Sequence, residues 1–242
     1  MIVKQTARDQ WLVEFNPAEF RRWKKFIAHF RSFVEVPARL RTKAQLWHQF
    51  VREFLVRGGA RPLERADQDQ RQKKNLVRET SLRALLNPEG RRELRKRLEG
   101  KTRFPQKAAR AILRGFHNKS VVRRNRFVLL NGLKAHGEIG LRKQIYCRYP
   151  ELGWKGTSDF LISSGIARDL VAIDTRILSC LQKHFGAPEE IHRARSDYNL
   201  YLGVESALRK VAERNKISLA ELDRMIFQAS GTSMLDCYVK KR

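Results

Sequence analysis

Eight residues decide the predicted fold of this chain: Tyr149-Pro150-Glu151-Leu152-Gly153-Trp154-Lys155-Gly156. They lie between two segments predicted as helices, over 138–148 and 156–164. A tight, glycine-containing turn between two helices leaves backbone N–H groups unpaired where the second helix starts, and these groups and the helix dipole suit a phosphate. Lys155 lies close to the first turn of that second helix. The stretch therefore predicts a helical hairpin that can contact phosphate.

A second feature is Asp174, which follows the short apolar run Val171-Ala172-Ile173. We expect Asp174 to be the N-cap of a helix over 175–185, where backbone donors would hold its side chain. The intervening helix, a turn at Gly165 and a brief extended stretch would fold Asp174 back towards Lys155. The spacing therefore predicts that the two side chains serve one site.

A lysine beside an aspartate suits covalent chemistry on a nucleotide sugar. The positive end of a helix dipole and partial desolvation both lower the pKa of a lysine, which is a nucleophile only when neutral. The amine of Lys155 could attack C1′ and expel the base, and the Schiff base could then permit strand cleavage. Asp174 could stabilise positive charge on the sugar. A hairpin that only contacts phosphate, followed by an ordinary helix cap, remains the alternative.

The rest of the chain is also predicted to be helical. Asn16 and Glu19 form a capping box around Pro17, as do Ser218 and Glu221. Further helices are predicted over about 42–57, 81–99 (one or two, broken near Asn87-Pro88), 105–117, 121–134, 138–148, 156–164, 175–185, 197–214 and 219–229. Residues 60–79 are read as a solvated helix or connector, and Gly58-Gly59 as a helix stop. A short strand is possible within residues 1–15. The fold class is predicted to be all-α.

The first predicted helix has a strongly apolar face. Its stripe recurs at helical spacing and is expected to be core, with further aromatic residues beside it. The stripe contains Phe20, Trp23, Ile27, Phe30 and Val34, and Phe26 and Phe33 widen it.

The net charge points to a polyanionic partner. Fifty-one Lys and Arg residues against 25 Asp and Glu give +26 along the whole chain, and nucleic acid fits best. No apolar stretch approaches the roughly 20 residues that span a bilayer, and the N-terminus shows no secretory signal. The three cysteines form no C-x-x-C pair and suit a reducing cytosol, and the six histidines lack metal-ligand spacing. We expect no metal and no cofactor.

At Pro150, Leu152, Gly153, Lys155 and Asp174 the sequence resembles the helix-hairpin-helix DNA glycosylase superfamily. Its signature is a Leu-Pro-Gly-hydrophobic-Gly hairpin followed by an aspartate. Two other stretches look like the compact archaeal and bacterial 8-oxoguanine DNA glycosylases: Arg103-Phe104-Pro105-Gln106-Lys107-Ala108-Ala109-Arg110-Ala111-Ile112 and Leu222-Asp223-Arg224-Met225-Ile226-Phe227-Gln228-Ala229-Ser230-Gly231.

The resemblance implies a bifunctional glycosylase/AP lyase in which Lys155 forms the Schiff base and Asp174 assists. It implies one domain with two helical lobes, over 1–100 with 190–242 and over 101–189, and double-stranded DNA in the cleft between them. A cytoplasmic, nucleoid-associated monomer is expected. DNA-contacting residues would be Leu152, Gly153, Gly156, Arg103 and Lys107, and Phe227 would be a wall of the base pocket. Trp154 is a second pocket candidate by residue type, with buried packing of its ring as the alternative.

Two departures from the family pattern bear on the substrate. Glu151 replaces the first glycine of the hairpin and brings a carboxylate near the expected phosphate site. The compact family typically ends in a lysine whose terminal carboxylate helps to read the oxidised base, whereas this chain ends in Val239-Lys240-Lys241-Arg242. The same chemistry on another modified base, and a non-catalytic nucleic-acid-binding protein, therefore stay open beside excision of 8-oxoguanine.

Overall fold

The computed structural model describes residues 1–6, 10–55, 88–99, 102, 104–117, 122–123 and 126–231. The chain divides into two compact units, one formed by Met1–Ala38 with Ala167–Arg242 and the other by Arg39–Ile166. Helices dominate both units, so the predicted all-α class is confirmed. No helix within the described ranges is long and apolar enough to cross a membrane.

The first unit combines residues from both ends of the chain. It begins with the antiparallel strands β1 (Ile2–Gln5) and β2 (Trp11–Glu14), which confirm a strand within residues 1–15. Its helices are α1 (Pro17–Phe30), α7 (Thr175–Phe185), α8 (Tyr198–Arg214) and α9 (Leu219–Gly231), with 3-10 turns at Arg31–Phe33 and Glu189–Arg195.

Helix α1 begins where its sequence predicts but ends before the end of the predicted apolar stripe. The Asn16 side chain accepts from the Glu19 N–H at 2.9 Å, and the Glu19 carboxylate accepts from the Asn16 N–H at 2.7 Å. The helix ends at Phe30, and Val34 already has an extended backbone. The expectation that Phe33 widens the apolar face is wrong, because the change to a 3-10 turn leaves it 49% exposed.

Aromatic rings fill the core of the first unit. Trp23 stacks on Phe185 with ring centroids 3.9 Å apart, and Phe15 meets both rings edge-on. Phe26 and Phe30 continue the cluster along α1. The stripe on α1 is therefore a packing surface, as predicted.

Strand β2 lies against α8 at a point where there is no room for a side chain. A Cβ on Gly203 would come within 2.8 Å of the Trp11 backbone oxygen and 3.1 Å of Val13 Cγ2. The capping residue of α8, Asp197, also accepts a 3.0 Å hydrogen bond from the Trp11 indole. The glycine and this bond together fix the strand on the helix.

The second unit is a helical assembly that contains the hairpin. Its helices are α2 (Lys43–Leu55), α3 (Pro88–Leu98), α4 (Pro105–His117), α5 (Leu133–Arg148) and α6 (Gly153–Ser163). Phe50 lies at the centre of its core, with ring centroids 5.1 Å from Tyr149, 5.2 Å from Phe54 and 5.9 Å from Phe160. These contacts pack α2 against the hairpin. The expected stop at Gly58-Gly59, the segment 60–79 and the break at Asn87 lie outside the described residues.

The prediction of a helix over 121–134 is wrong. Strands β3 (Val122–Arg123) and β4 (Arg126–Phe127) pair in antiparallel register there, and α5 begins only at Leu133. Helix α5 also takes up the separately predicted helix over 138–148, with a kink at Gly137, where φ is 62°. A β-branched, charged segment can pair as a strand despite a helical pattern, because packing overrides weak local propensity.

The unit boundaries differ from the expected lobes of 1–100 with 190–242 and 101–189. The chain passes between units at 38/39 and at 166/167. The reason is packing: α2 packs on the hairpin helix α6, and α7 packs on the C-terminal helix α9. Each of these helices therefore joins the unit that buries its apolar face.

Candidate active site

The hairpin turns where the sequence predicts it. A 3-10 turn at Pro150–Leu152 follows α5, and Gly153 then adopts φ 62° and ψ 176°, a conformation that strongly favours glycine. Helix α6 starts there, and no side chain of the described residues caps its N-terminus. The side chain of Leu152 is fully buried, so any contact that Leu152 makes with a ligand must come from its backbone. The predicted helix-hairpin-helix geometry is present.

Lys155 lies in the first turn of α6. Its side chain is 37% exposed, and Nζ lies 2.8 Å from Oδ2 of Asp159, one helical turn further along. Spacing of four residues places both side chains on the same helix face. The amine is thus accessible and is held by a carboxylate that the sequence reading did not single out.

Glu151 is accommodated without backbone strain. Among the described residues, Lys216 is the one non-glycine residue with a positive φ, so Glu151 has a negative φ. The positive φ in the turn belongs to Gly153 instead. The Glu151 carboxylate pairs with Arg114 of α4 at 2.5 Å, and the same guanidinium lies 5.1 Å from the Tyr149 ring centroid. The carboxylate that replaces the expected glycine is therefore neutralised by an arginine within the unit.

Asp174 caps α7 in the first unit, as predicted. Its Oδ1 accepts from the N–H groups of Arg176 at 2.9 Å and Ile177 at 3.2 Å. Among the described residues, no hydrogen bond to its Oδ2 is found. The cap thus uses one carboxylate oxygen, and the side chain remains partly exposed.

Two buried side chains fix the extended segment that leads to Asp174. Asp223 of α9 accepts from the Ala172 N–H at 2.8 Å. The Tyr201 hydroxyl of α8 donates to the Val171 carbonyl at 2.6 Å and accepts from the Ile173 N–H at 3.4 Å. The backbone before Asp174 is therefore bonded on two sides, which holds the carboxylate in place.

The base-pocket candidates lie in different units. Phe227 is 46% exposed, and the Arg176 guanidinium lies 4.4 Å from its ring centroid. Because Arg176 also donates to Asp174 through its backbone N–H, the structure brings Phe227 to the capped end of α7. Trp154 instead stacks on Tyr146 of α5 at 3.9 Å, within the hairpin unit.

Two further DNA-contact candidates, Gly156 and Lys107, lie in the second unit. A Cβ on Gly156 would meet Leu152 at an ordinary 3.6 Å, so its own packing does not demand glycine. Lys107 is exposed on α4, 5.6 Å from the Phe104 ring centroid. Arg103 lies outside the described residues.

The sequence reading missed a buried carboxyl close to Lys155. Glu53 of α2 is only 4% exposed and accepts a 2.6 Å hydrogen bond from Gln49 Nε2. Burial, and next the charge of Asp159, raise the pKa of Glu53 to about 8. The i,i+4 spacing could have revealed Asp159, but Glu53 is distant in sequence and only α2–α6 packing brings it here.

Metal-binding geometry does not occur in the described part of the chain. No group of three or more His, Cys, Asp or Glu side chains there is placed to hold an ion. Cys180 is buried, and burial raises the pKa of its thiol to about 12.

Solved structures similar to this chain include 8-oxoguanine glycosylases. The Methanocaldococcus jannaschii 8-oxoguanine glycosylase/lyase in complex with 15mer DNA containing 8-oxoguanine matches with TM-score 0.58 and 18% identity, over 88% of this chain and 90% of that chain. The Thermotoga maritima 8-oxoguanine DNA glycosylase matches with TM-score 0.55 and 22% identity, over 87% and 88%.

Family comparison agrees with these structural matches. None of the curated proteins matches the chain significantly. The model of the 8-oxoguanine DNA glycosylase family, however, matches residues 70–217, more than half of the sequence. The matched range contains the hairpin, Lys155 and Asp174. This chain belongs to the 8-oxoguanine DNA glycosylase family.

Proposed function

We propose that this protein is a bifunctional DNA glycosylase/AP lyase that removes 8-oxoguanine from double-stranded DNA through a Schiff base on Lys155. The observation that carries the proposal is an accessible Lys155 amine at the start of the hairpin helix, in contact with a carboxylate. Family membership supports the substrate class, and a relative of the same fold is a glycosylase/lyase in complex with DNA containing 8-oxoguanine.

Lys155 and Asp174 have separate tasks in this chemistry. The neutral Lys155 amine attacks C1′, the bond from C1′ to the base nitrogen breaks, and its electron pair leaves with the base, which takes up a proton. Loss of protons from nitrogen and opening of the sugar give the imine, from which β-elimination expels the 3′ phosphate. Asp174 stabilises the positive charge that develops on the sugar. Its cap bonds preorganise the carboxylate for that role.

Phosphate contacts would come from the start of the hairpin helix. Backbone N–H groups near Gly153 and Gly156 and the positive end of the α6 dipole suit a phosphate, and no side chain of the described ranges caps this end. Leu152 would contribute through its backbone. Lys107 on α4, and Arg103 by sequence, would add charge. The net charge of +26 supports salt-sensitive DNA binding.

The damaged base must leave the duplex to reach the amine. Phe227 is proposed as one wall of its pocket, because an exposed aromatic ring lies beside the end of α7 that carries Asp174. Trp154 is the weaker pocket candidate, since its ring already stacks on Tyr146. A DNA substrate of this kind would place the protein at the nucleoid, acting as a monomer without metal or cofactor.

Single-turnover cleavage of a lesion panel tests the proposal. Duplexes would carry 8-oxoguanine, uracil, thymine glycol or an abasic site, with the opposite base varied. We expect excision of 8-oxoguanine and strand cleavage, and at least about a thousandfold loss in Lys155→Arg, because a guanidinium does not lose its proton. Cleavage of another lesion alone would discard the substrate. Full cleavage by Lys155→Arg would point to another nucleophile, whereas wild-type protein that binds these duplexes without cleaving any of them would favour a phosphate clamp.

A further inference from the structure

The Lys155 amine lies in an ion pair, although its proposed role requires a neutral nitrogen. The Asp159 carboxylate is 2.8 Å from Nζ and only 15% exposed. A carboxylate in contact stabilises the ammonium form, and an ammonium has no electron pair with which to attack C1′. The proton on Nζ therefore needs an acceptor within reach before the reaction can start.

Asp159 is itself held in one orientation. Its Oδ2 faces Nζ of Lys155, and its Oδ1 accepts from the Ser163 hydroxyl at 3.2 Å. The three side chains follow one another at four-residue intervals along one face of α6. A proton acceptor must lie within hydrogen-bond distance of the proton that it takes, and Oδ2 satisfies this requirement.

A second carboxyl, from α2, acts on this pair. Glu53 is buried and bonded by Gln49, and burial followed by the charge of Asp159 raises its pKa to about 8. The charges of Lys155 and Arg52 act in the opposite direction and are weaker. At neutral pH Glu53 is therefore protonated. Two neighbouring carboxyl groups with unlike environments commonly take unlike roles.

We propose that Asp159 accepts the Nζ proton of Lys155, and that buried Glu53 is the positioning residue that keeps the negative charge of the carboxyl pair on Asp159. This inference rests on the proposed function. The N–H bond of the ammonium breaks with its electron pair left on nitrogen, and the proton bonds to Oδ2. The ion pair becomes an amine and a carboxylic acid, with no change in total charge.

Substrate binding supplies the driving force for this transfer. An ion pair loses favourable hydration when water is removed, whereas a neutral amine and acid lose much less. DNA that covers the partly exposed Lys155 would remove water from the pair and favour the neutral form. The amine would then be generated where the substrate is already bound.

Single-turnover Schiff-base formation on abasic-site DNA, measured between about pH 6 and pH 10, tests the role of Asp159. Asp159→Asn should lose about a hundredfold in rate at pH 7, the low end for general base catalysis, with DNA affinity unchanged. Its rate should then climb about tenfold per pH unit, because solvent must take the proton. Asp159→Glu, which restores an acceptor, should recover most of the rate. Asp159→Asn as fast as wild type at pH 7 would overturn the proposal.

Glu53→Gln tests the positioning role through the pH profile. The charge of Asp159 affects Glu53 more strongly than the charge of Lys155 does. By the same interactions, ionised Glu53 strengthens Asp159 as a proton acceptor more than it stabilises the Lys155 ammonium. The wild-type rate should therefore step up near pH 8, and Glu53→Gln should lack that step. The matched control is Glu93→Gln, which removes the carboxylate of another 2.8 Å pair at i,i+4 spacing, with Arg97, and should behave as wild type. A step that persists in Glu53→Gln would refute this role.

A readout without DNA separates this proposal from the proposed function. Reductive methylation with formaldehyde and cyanoborohydride, mapped to Lys155 by peptide mass spectrometry, follows the fraction of neutral amine. In the free protein, where water can take the proton, Asp159→Asn should lower the pH midpoint of Lys155 modification, because it removes the carboxylate that stabilises the ammonium. Glu53→Gln should remove the feature near pH 8. If wild type forms no DNA adduct but these shifts occur, the function fails and the coupling of the three groups is supported. Identical profiles in all variants would overturn the coupling.

Discussion

Replacing Glu53 by glutamine should change the pH dependence of stability in a defined direction. Burial raises the pKa of Glu53 from 4.5 to about 8. Between these values the unfolded chain loses the Glu53 proton while the folded protein keeps it, so the free energy of unfolding falls as pH rises. The stabilising contribution is complete below about pH 4.5 and lost by about pH 8.

The size of this effect follows from the width of the window. A span of roughly 3.5 pH units at about 1.36 kcal/mol each corresponds to about 5 kcal/mol. The amide introduced by Glu53→Gln does not ionise and can retain a hydrogen bond to Gln49. The free energy of unfolding of the variant relative to wild type should therefore improve by about 4 kcal/mol between about pH 5 and pH 8.

Urea unfolding at constant ionic strength measures this difference. Hydrogen exchange of the α2 amides serves as the probe, because it reports on the unit that contains Glu53. Other carboxylates contribute equally to both proteins and cancel in the comparison. Glu93→Gln is the control and should show no pH-dependent difference from wild type, because Glu93 is exposed on α3. A difference between Glu53→Gln and wild type that stays constant within about 0.5 kcal/mol across the range would refute a buried neutral Glu53.

The other predictions concern the first unit and the hairpin. Gly203→Ala should destabilise the protein by about 1–3 kcal/mol, because its Cβ meets the Trp11 backbone oxygen at 2.8 Å; a gain in denaturation midpoint would contradict the close packing of β2 on α8. Asp174→Asn should keep stability within about 0.5 kcal/mol, since asparagine caps helices as well as aspartate, while base excision drops by about a hundredfold or more. Thermal melting and single-turnover excision are measured on the same samples. The prediction fails if stability and excision both fall, or if neither falls. Gly156→Ala should preserve or raise helix stability by up to about 1 kcal/mol but weaken binding to duplex DNA; unchanged affinity would remove Gly156 from the DNA contact.

Local signals in the sequence predict most of the helices. The capping boxes at Asn16 and at Ser218 form as expected, with both reciprocal bonds present in each. The turn at Gly165 and the cap at Asp174 also follow from residue type and position. These features depend on contacts within a few residues, which a sequence displays directly.

Features that depend on packing escape the sequence. Residues 121–134 carry a helical pattern, yet Val122 and Phe127 are partners in two antiparallel strands. Phe33 is predicted to widen an apolar stripe, yet the helix ends before it. Among the candidate site residues, Lys155 and Asp174 stand out by their motif, whereas Glu53 can be recognised only once α2 packs against α6. A buried carboxyl that meets its partner across a long stretch of chain leaves no local signature.

The most direct test of Lys155 as the nucleophile is borohydride trapping on duplex DNA containing 8-oxoguanine, with the adduct mapped by peptide mass spectrometry. Lys155→Gln is the control, because the amide preserves a polar side chain without a nucleophile. We predict a covalent adduct on the peptide that carries Lys155 and none in the variant. An adduct on a different lysine, or trapping that persists in Lys155→Gln, would contradict this assignment.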